Sequence, residues 1–190
     1  MQVSTDYAFE GDREDPYLET DDGDARTDWC GVSKEIAEDL VKQSGGGWAI
    51  ARVSFPYLRH SNRKTDLVRR IGDQLRTGAI SPMFSDQIIT PTFGDDAVGI
   101  FAHVARTRAQ GVFHTVGPEW LSPHQVAVRV AERIGFDATA VPSSSLQDYV
   151  DNGGRPFPKT LRMSNRATMS ALHQPARTLC EVLLLPGWTF

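Results

Sequence analysis

Long apolar runs are missing from this chain of 190 residues. No stretch approaches the roughly 20 consecutive apolar residues that a membrane-spanning helix needs. The first residues turn polar at once, without the basic start and apolar core of a signal peptide. Cysteine is scarce as well: Cys30 and Cys180 are the only two, far apart and without metal-type spacing. They read as reduced thiols of a cytoplasmic protein. A third absence bears directly on function. Nothing matches G-x-G-x-x-G after a strand, and the one glycine cluster, Gly45 to Gly47, follows a helical pattern and precedes a strand. A strand, glycine-rich turn and helix N-terminus hold the pyrophosphate of a dinucleotide, so the cradle for such a cofactor is not encoded here. Internal repeats and low-complexity segments are absent too.

The remaining composition is that of an ordinary globular chain, 40% hydrophobic and 23% charged, and one domain is the expected count. The net charge of −4 conceals an asymmetry: residues 1–40 hold 13 acidic against 3 basic side chains, and the remainder 11 against 17. An acidic end and scattered basic residues argue against nucleic acid as a partner. A mildly basic body is compatible with an anionic small molecule such as a nucleotide.

The stretch from Val3 to Lys34 organises the rest. Residues 1–9 read as a strand ending in the hydroxyl of Thr5 and the carboxylate of Asp6. Residues 10–28 read as a solvated acidic loop. From Trp29 the apolar positions Ile36, Ala37, Leu40 and Val41 recur at helical spacing, with Cys30 and Lys34 four residues apart on one face. Residues 48–55 suit a buried strand of a parallel sheet. Leu67, Ile71 and Leu75 mark a second helix, residues 80–84 a short strand, and Val98, Ile100, Phe101 and Val104 a third helix. Residues 111–116 form another strand. Ser122 then caps a helix with Pro123 in its first turn, the apolar positions Val126, Val130 and Ile134, and Gly135 as its stop. A last helix lies around residues 177–184. Alternating strands and helices predict an α/β protein with a mainly parallel sheet, entered partway into that sheet.

Taken together, V-S-T-D-Y-A-F-E-G, P-Y-L-E-T-D, G-V-S-K, R-V-S-F, D-Q-x-x-x-P-T-F and G-x-F-H-T-V-G-P-E-W-L-S resemble the dTDP-4-dehydrorhamnose reductase family, a branch of the extended short-chain dehydrogenase/reductases. The motifs stand in the family's order. The resemblance implies the C-terminal part of a Rossmann-like, doubly wound parallel sheet plus a small sugar-nucleotide-binding region. Residues 1–138 would form the partial sheet with substrate-binding elements, and residues 139–190 a loop and helix part of the substrate region. It implies a chain truncated at its N-terminus, lacking the part that carries the glycine-rich turn. The family's reaction is hydride transfer from NADPH or NADH to the C4 keto group of a dTDP-sugar, giving dTDP-L-rhamnose.

Carried over by position, Thr5 supplies the strand-end hydroxyl and, with Asp6, contacts the sugar nucleotide. Lys34 matches the Lys of the family's Tyr-x-x-x-Lys pair, which also holds the cofactor ribose. Phe55 falls where the family carries a substrate-stacking Trp, and residues 86–92 match the loop over the substrate end of the cleft. Cys30 stands in place of the catalytic Tyr. A thiol has a pKa of about 8.5 against about 10 for a phenol, so acidity does not disqualify it. Reach does, because its sulfur lies one carbon from the backbone and proton transfer needs hydrogen-bond distance. The resulting expectation is a catalytically impaired relative. Two alternatives stay open: a non-catalytic sugar-nucleotide-binding or regulatory subunit, and a nucleotide-sugar epimerase or dehydratase of the same superfamily. A homo-oligomer or a complementing N-terminal chain is the expected protein partner, since the first strand would present an open edge. No metal is expected. His103, His114, Phe113, Trp120 and Trp188 read as packing residues, and Cys180 as a buried small hydrophobe.

Overall fold

A computed structural model describes residues 1–25, 28–60, 65–173, 175–188 and 190. Arg26 and Thr27, inside the acidic segment, lie outside the described residues. The elements run β1 (Gln2–Thr5), a 3-10 turn (Asp6–Ala8), α1 (Trp29–Lys42), β2 (Ala49–Val53), β3 (Pro56–Tyr57), α2 (Leu67–Arg76), β4 (Met83–Phe84), β5 (Thr92–Phe93), α3 (Gly94–Thr107), β6 (Gly111–His114), α4 (Pro123–Ile134), β7 (Ser143–Ser144), α5 (Leu146–Asp151), α6 (Arg166–Leu172) and α7 (Leu179–Leu183). The main sheet is parallel, in the order β1-β2-β6, with Val3 opposite Ala51 and Ala51 opposite Phe113. Helices interleave with these strands, as a parallel sheet requires. The α/β class and the parallel sheet predicted from the sequence are both present.

Central β2 explains itself: Ala49, Ile50 and Ala51 are apolar and buried, as a strand covered on both faces must be. β1 pairs only with β2 among the described residues, and Val3 on it is 44% exposed. Local chemistry sets the helix ends. Ser122 and Gln125 form a reciprocal capping box at α4, Pro123 occupies its first turn, and Gly135 closes it in the left-handed conformation at φ 75°. Asp28 caps α1 by accepting from the N–H groups of Cys30 and Gly31.

The largest core cluster joins α2, α4 and α7 through Ile71, Leu75, Val126, Val130 and Val182. Ala49, Ile100, Val104, Phe113 and Leu172 form a second cluster that seats α3 and α6 on the sheet. The C-terminal region is tied in by the β4–β7 pair and by Asp86, which accepts from Ser145 Oγ at 2.8 Å and from Leu146 N at 2.6 Å.

Several expectations are corrected. The first strand stops at Thr5 and becomes a 3-10 turn, because Thr5 Oγ1 caps that turn at Tyr7 N. The acidic segment is not simply a solvated loop: Tyr17 within it is 1% exposed, stacks on Phe9 at 4.1 Å and bridges to Met163. The apolar stripe of α1 faces outward. Trp29, Ile36 and Leu40 are 84%, 56% and 64% exposed, while Glu38 is fully buried. Helical spacing marks an apolar stripe but does not say whether a neighbour covers it. Val98 on α3 is likewise exposed. Cys180 is exposed because α7 turns Leu179, Val182 and Leu183 inward. Trp120 is 43% exposed, held by its indole N–H to Met163 O at 3.0 Å.

Candidate functional site

Parallel strands bring their C-terminal ends to one edge of the sheet, where open α/β sheets bind ligands. Here that edge carries Thr5 and Asp6 after β1 and Ser54 and Phe55 after β2. Asp6 is 3% exposed and sits between them. Its carboxylate accepts from Thr5 Oγ1 at 2.9 Å and from Ser54 Oγ at 2.7 Å, which ties the ends of the two strands together. Burial pushes the Asp6 carboxyl up to about 6, against the hydrogen bonds from Ser54 and Thr5 that favour its ionised form. Asp6 therefore faces inward and lines neither cavity described below; any effect on a ligand runs through Thr5.

Two adjoining cavities open at this edge. The larger, of about 770 Å³, is lined by Thr5, Val53, Phe55, Asp66 and Phe101 among others. The smaller, of about 380 Å³, is lined by Tyr7, Phe55, Arg70, Gln87 and Phe157 among others. Phe55 and Arg70 belong to both. Phe55 has a φ of 38°, in the left-handed region that a non-glycine residue occupies at a cost of about 1–3 kcal/mol. Phe55 is thereby held at the junction of the two cavities.

α1 packs its first turn directly on the 3-10 turn. A Cβ on Gly31 would lie 1.9 Å from the carbonyl oxygen of Tyr7, so only glycine permits this approach. Lys34 thereby reaches β1, its Nζ donating to Val3 O at 3.0 Å. Cys30 is exposed at the helix start, its N–H bound to Asp28 Oδ1 at 2.8 Å. The second oxygen of Asp28 takes Arg155 at 3.2 Å, bringing the segment around Phe157 to the helix start. Thr5, Lys34 and Phe55 are thus gathered around one sheet edge, with Cys30 on the same helix as Lys34. Tyr7 carries no sequence signal of its own, although it stands inside the V-S-T-D-Y-A-F motif. Its phenol is pushed up to about 12 by burial and by the carboxylates of Asp6 and Asp28, so it is a neutral hydrogen-bonding group at neutral pH. Gln87, within the expected loop over the cleft, is 4% exposed and anchored to Pro158 O at 2.9 Å, so this segment is a built-in wall.

Behind the sheet edge lies a buried ion pair. Arg52 Nε donates to Glu38 Oε1 at 3.0 Å and Nη2 to Oε2 at 2.8 Å, while Nη1 donates to Asp21 O at 3.0 Å. The pair clamps α1, and with it Lys34, onto β2. His114 is buried, with Nδ1 on Ser164 O at 2.9 Å, and burial lowers its pKa to about 4, so it packs as a neutral ring. Among the described residues no group of three or more His, Cys, Asp or Glu could hold a metal ion, and no helix is long and apolar enough to cross a membrane.

Hydroxyl, lysine and aromatic groups near the C-terminal edge of a parallel sheet make this a candidate ligand-binding site in an α/β fold. The chain belongs to the RmlD substrate binding domain family, which it matches over residues 1–181. It is 30% identical over 168 residues to the probable low-salt glycan biosynthesis reductase Agl14 of Haloferax volcanii, a match covering 87% of this chain and 55% of that protein. It is 27% identical over 179 residues to the spore coat polysaccharide biosynthesis protein SpsK of Bacillus subtilis, covering 92% of this chain and 59% of that one. In fold it resembles the dTDP-4-dehydrorhamnose reductase of Bacillus anthracis, solved in complex with NADP, with a TM-score of 0.81, 22% identity, and coverage of 96% of this chain and 62% of that one. The chain therefore spans little more than half the length of the curated relatives it matches.

Proposed function

We propose that the chain binds a nucleotide-activated keto-sugar, a dTDP-4-keto-6-deoxyhexose such as dTDP-4-dehydrorhamnose, as the substrate half of a glycan-building reductase, and that its own catalytic power is impaired. The observation that carries this reading is the pair of adjoining cavities at the C-terminal edge of the sheet, with Thr5 lining the larger, Phe55 lining both, and Lys34 bound to the carbonyl of Val3, which also lines the larger. Thr5 presents a hydroxyl to the sugar oxygen, Phe55 stacks on the ligand between the cavities, and Arg70, shared by both, meets its negative charge. Tyr7 and Gln87 supply neutral hydrogen bonds in the smaller cavity.

A reduced nicotinamide, NADPH or NADH, supplies the hydride in the reductase reaction. The residues present fit its nicotinamide end: Lys34 stands at β1 beside the larger cavity, where it can hold a ribose hydroxyl. They do not form a pyrophosphate cradle, since no strand is followed by a glycine-rich turn. The edge of β1 that pairs with no strand among the described residues supports completion of the sheet by a chain that carries that turn. Cys30 leaves the family's phenol position to a short thiol on the helix exterior, which supports impairment.

Isothermal titration of the chain with dTDP-L-rhamnose and with UDP-glucose tests the binding reading. Tighter binding of the dTDP ligand is expected, and no binding of either would sink it. Reduction of dTDP-4-dehydrorhamnose with NADPH tests the impairment: turnover undiminished relative to a Cys30→Tyr variant would refute it.

A further inference from the structure

Thr5 has one hydroxyl proton and two lone pairs. The proton is committed to Asp6 Oδ1 at 2.9 Å, and one lone pair receives the N–H of Tyr7 at 3.3 Å. In that state the hydroxyl offers the larger cavity a lone pair and no donor. A ligand carbonyl arriving there would meet an acceptor with an acceptor. The bond reverses only if Asp6 is protonated, its O–H then donating to Thr5 Oγ1 and releasing the Thr5 proton toward the cavity. Ser54 holds the other carboxylate oxygen at 2.7 Å, so the carboxyl plane stays in place in both states.

We infer that Asp6 is a positioning residue whose bound proton decides whether Thr5 can donate into the larger cavity, so that a carbonyl ligand is taken up together with a proton and the corresponding alcohol without one. The inference rests on the proposed keto-sugar reading and deepens it. An alcohol donates to the free lone pair of Thr5 when Asp6 is ionised and accepts from Thr5 when it is not. The site therefore holds the reduced ligand equally well at any pH and the keto ligand more tightly, by one hydrogen bond, with the extra proton. The proton count balances: one proton enters Asp6 from solvent as the keto ligand binds, and it returns to solvent when an alcohol occupies the site with Asp6 ionised.

The charged groups around Asp6 are directed to other partners. Lys34 of α1 is on Val3 O, Arg52 of β2 is on Glu38, and Asp28 before α1 is on the Cys30 N–H and Arg155. Tyr7 beside it is a neutral phenol, and among the described residues no ion pair reaches the Asp6 carboxyl. Its burial and lack of a cation place the proton exchange near pH 6 rather than in the ordinary carboxyl range.

The test compares dTDP-4-dehydrorhamnose with dTDP-L-rhamnose on the full chain, by titration calorimetry at about pH 5 and about pH 8. Both ligands carry the same dTDP group, so other titrations cancel in the comparison. Affinity for the keto-sugar is expected to fall roughly tenfold across this range, the worth of one hydrogen bond, and that for the alcohol to stay within about twofold. Asp6→Asn, whose amide donates to Thr5 at every pH, should hold the keto-sugar with a pH-independent affinity. Infrared titration of the free chain gives a readout that needs no ligand. A protonated-carboxyl band should vanish with a midpoint near pH 6, be absent from Asp6→Asn, and move to higher pH in Thr5→Val. Equal pH dependence for the two sugars, or a midpoint that Thr5→Val leaves in place, overturns the inference alone. Binding of neither sugar at any pH overturns the proposed function along with it.

Discussion

Replacing Glu38 by Gln tests the physical core of this architecture. Glu38 and Arg52 have side chains 1% and 0% exposed, joined by two parallel hydrogen bonds. Burial raises the Glu38 carboxyl, but the hydrogen bonds and charge of Arg52 outweigh it and hold the group below its ordinary range. Gln keeps the shape and one acceptor but leaves the guanidinium buried without a counter-charge. Removing one partner of such a pair costs about 3–5 kcal/mol, a large part of the roughly 5–15 kcal/mol that stabilises a domain. For a chain of this length the melting temperature should drop by about 10 °C. Glu38→Leu combined with Arg52→Met, which removes both charges, should recover all but about 1 kcal/mol. Because the folded carboxyl is depressed, the pair's contribution is present above the ordinary Glu range and is lost as pH falls through the folded value. Urea unfolding of the wild type, Glu38→Gln, Glu38→Leu, Arg52→Met and the double variant measures all of this. A single variant costing under about 1 kcal/mol, or a double variant no better than the single ones, would refute the clamp.

Three further outcomes are expected. Asp6 is raised from 3.8 to about 6, so the fold is favoured below the ordinary Asp range and loses stability as pH rises through 6; the shift corresponds to about 3 kcal/mol. Asp6→Asn should therefore gain stability over wild type at about pH 8 and not at about pH 4, and a gain independent of pH in urea titrations would contradict this. Gly31→Ala drives a methyl group into the Tyr7 carbonyl, 1.9 Å away, and with backbone on both sides should cost about 3 kcal/mol, read from the urea midpoint. Leu40→Ser, at a position 64% exposed, should change stability by under about 0.5 kcal/mol, whereas a loss above about 2 kcal/mol would show that this face of α1 is covered in the isolated chain.

Much of the fold was legible because its signals are local. Ser122, Pro123 and Gly135 announce the ends of α4 through caps that depend on neighbouring residues alone. The apolar run of β2 between glycines and Pro56 announces a covered strand. The small elements after residue 138 were not legible: α6 has no side-chain cap, and its burial rests on Thr168 and Leu172 alone. In the candidate site, Thr5, Lys34 and Phe55 are singled out by motif order, and the structure places them near one sheet edge. Tyr7, Arg70 and Gln87 are not singled out, since nothing local distinguishes a cavity-lining side chain from a surface one.

Read by itself, the sequence determines the alternation of strands and helices, the parallel sheet, the helix caps and the family, all of them properties of spacing and motif order. Tertiary structure alone decided which groups lie inside. It turned the apolar stripe of α1 outward and Glu38 inward, because Arg52 on the central strand needs a counter-charge where water is excluded. It drew Tyr17 out of an acidic segment into the core, where Phe9 offers a ring to stack on. It also turned Asp6 away from the cavities toward Ser54, a residue 48 positions away. Burial and pairing depend on neighbours distant in sequence, and no local pattern records who those neighbours are.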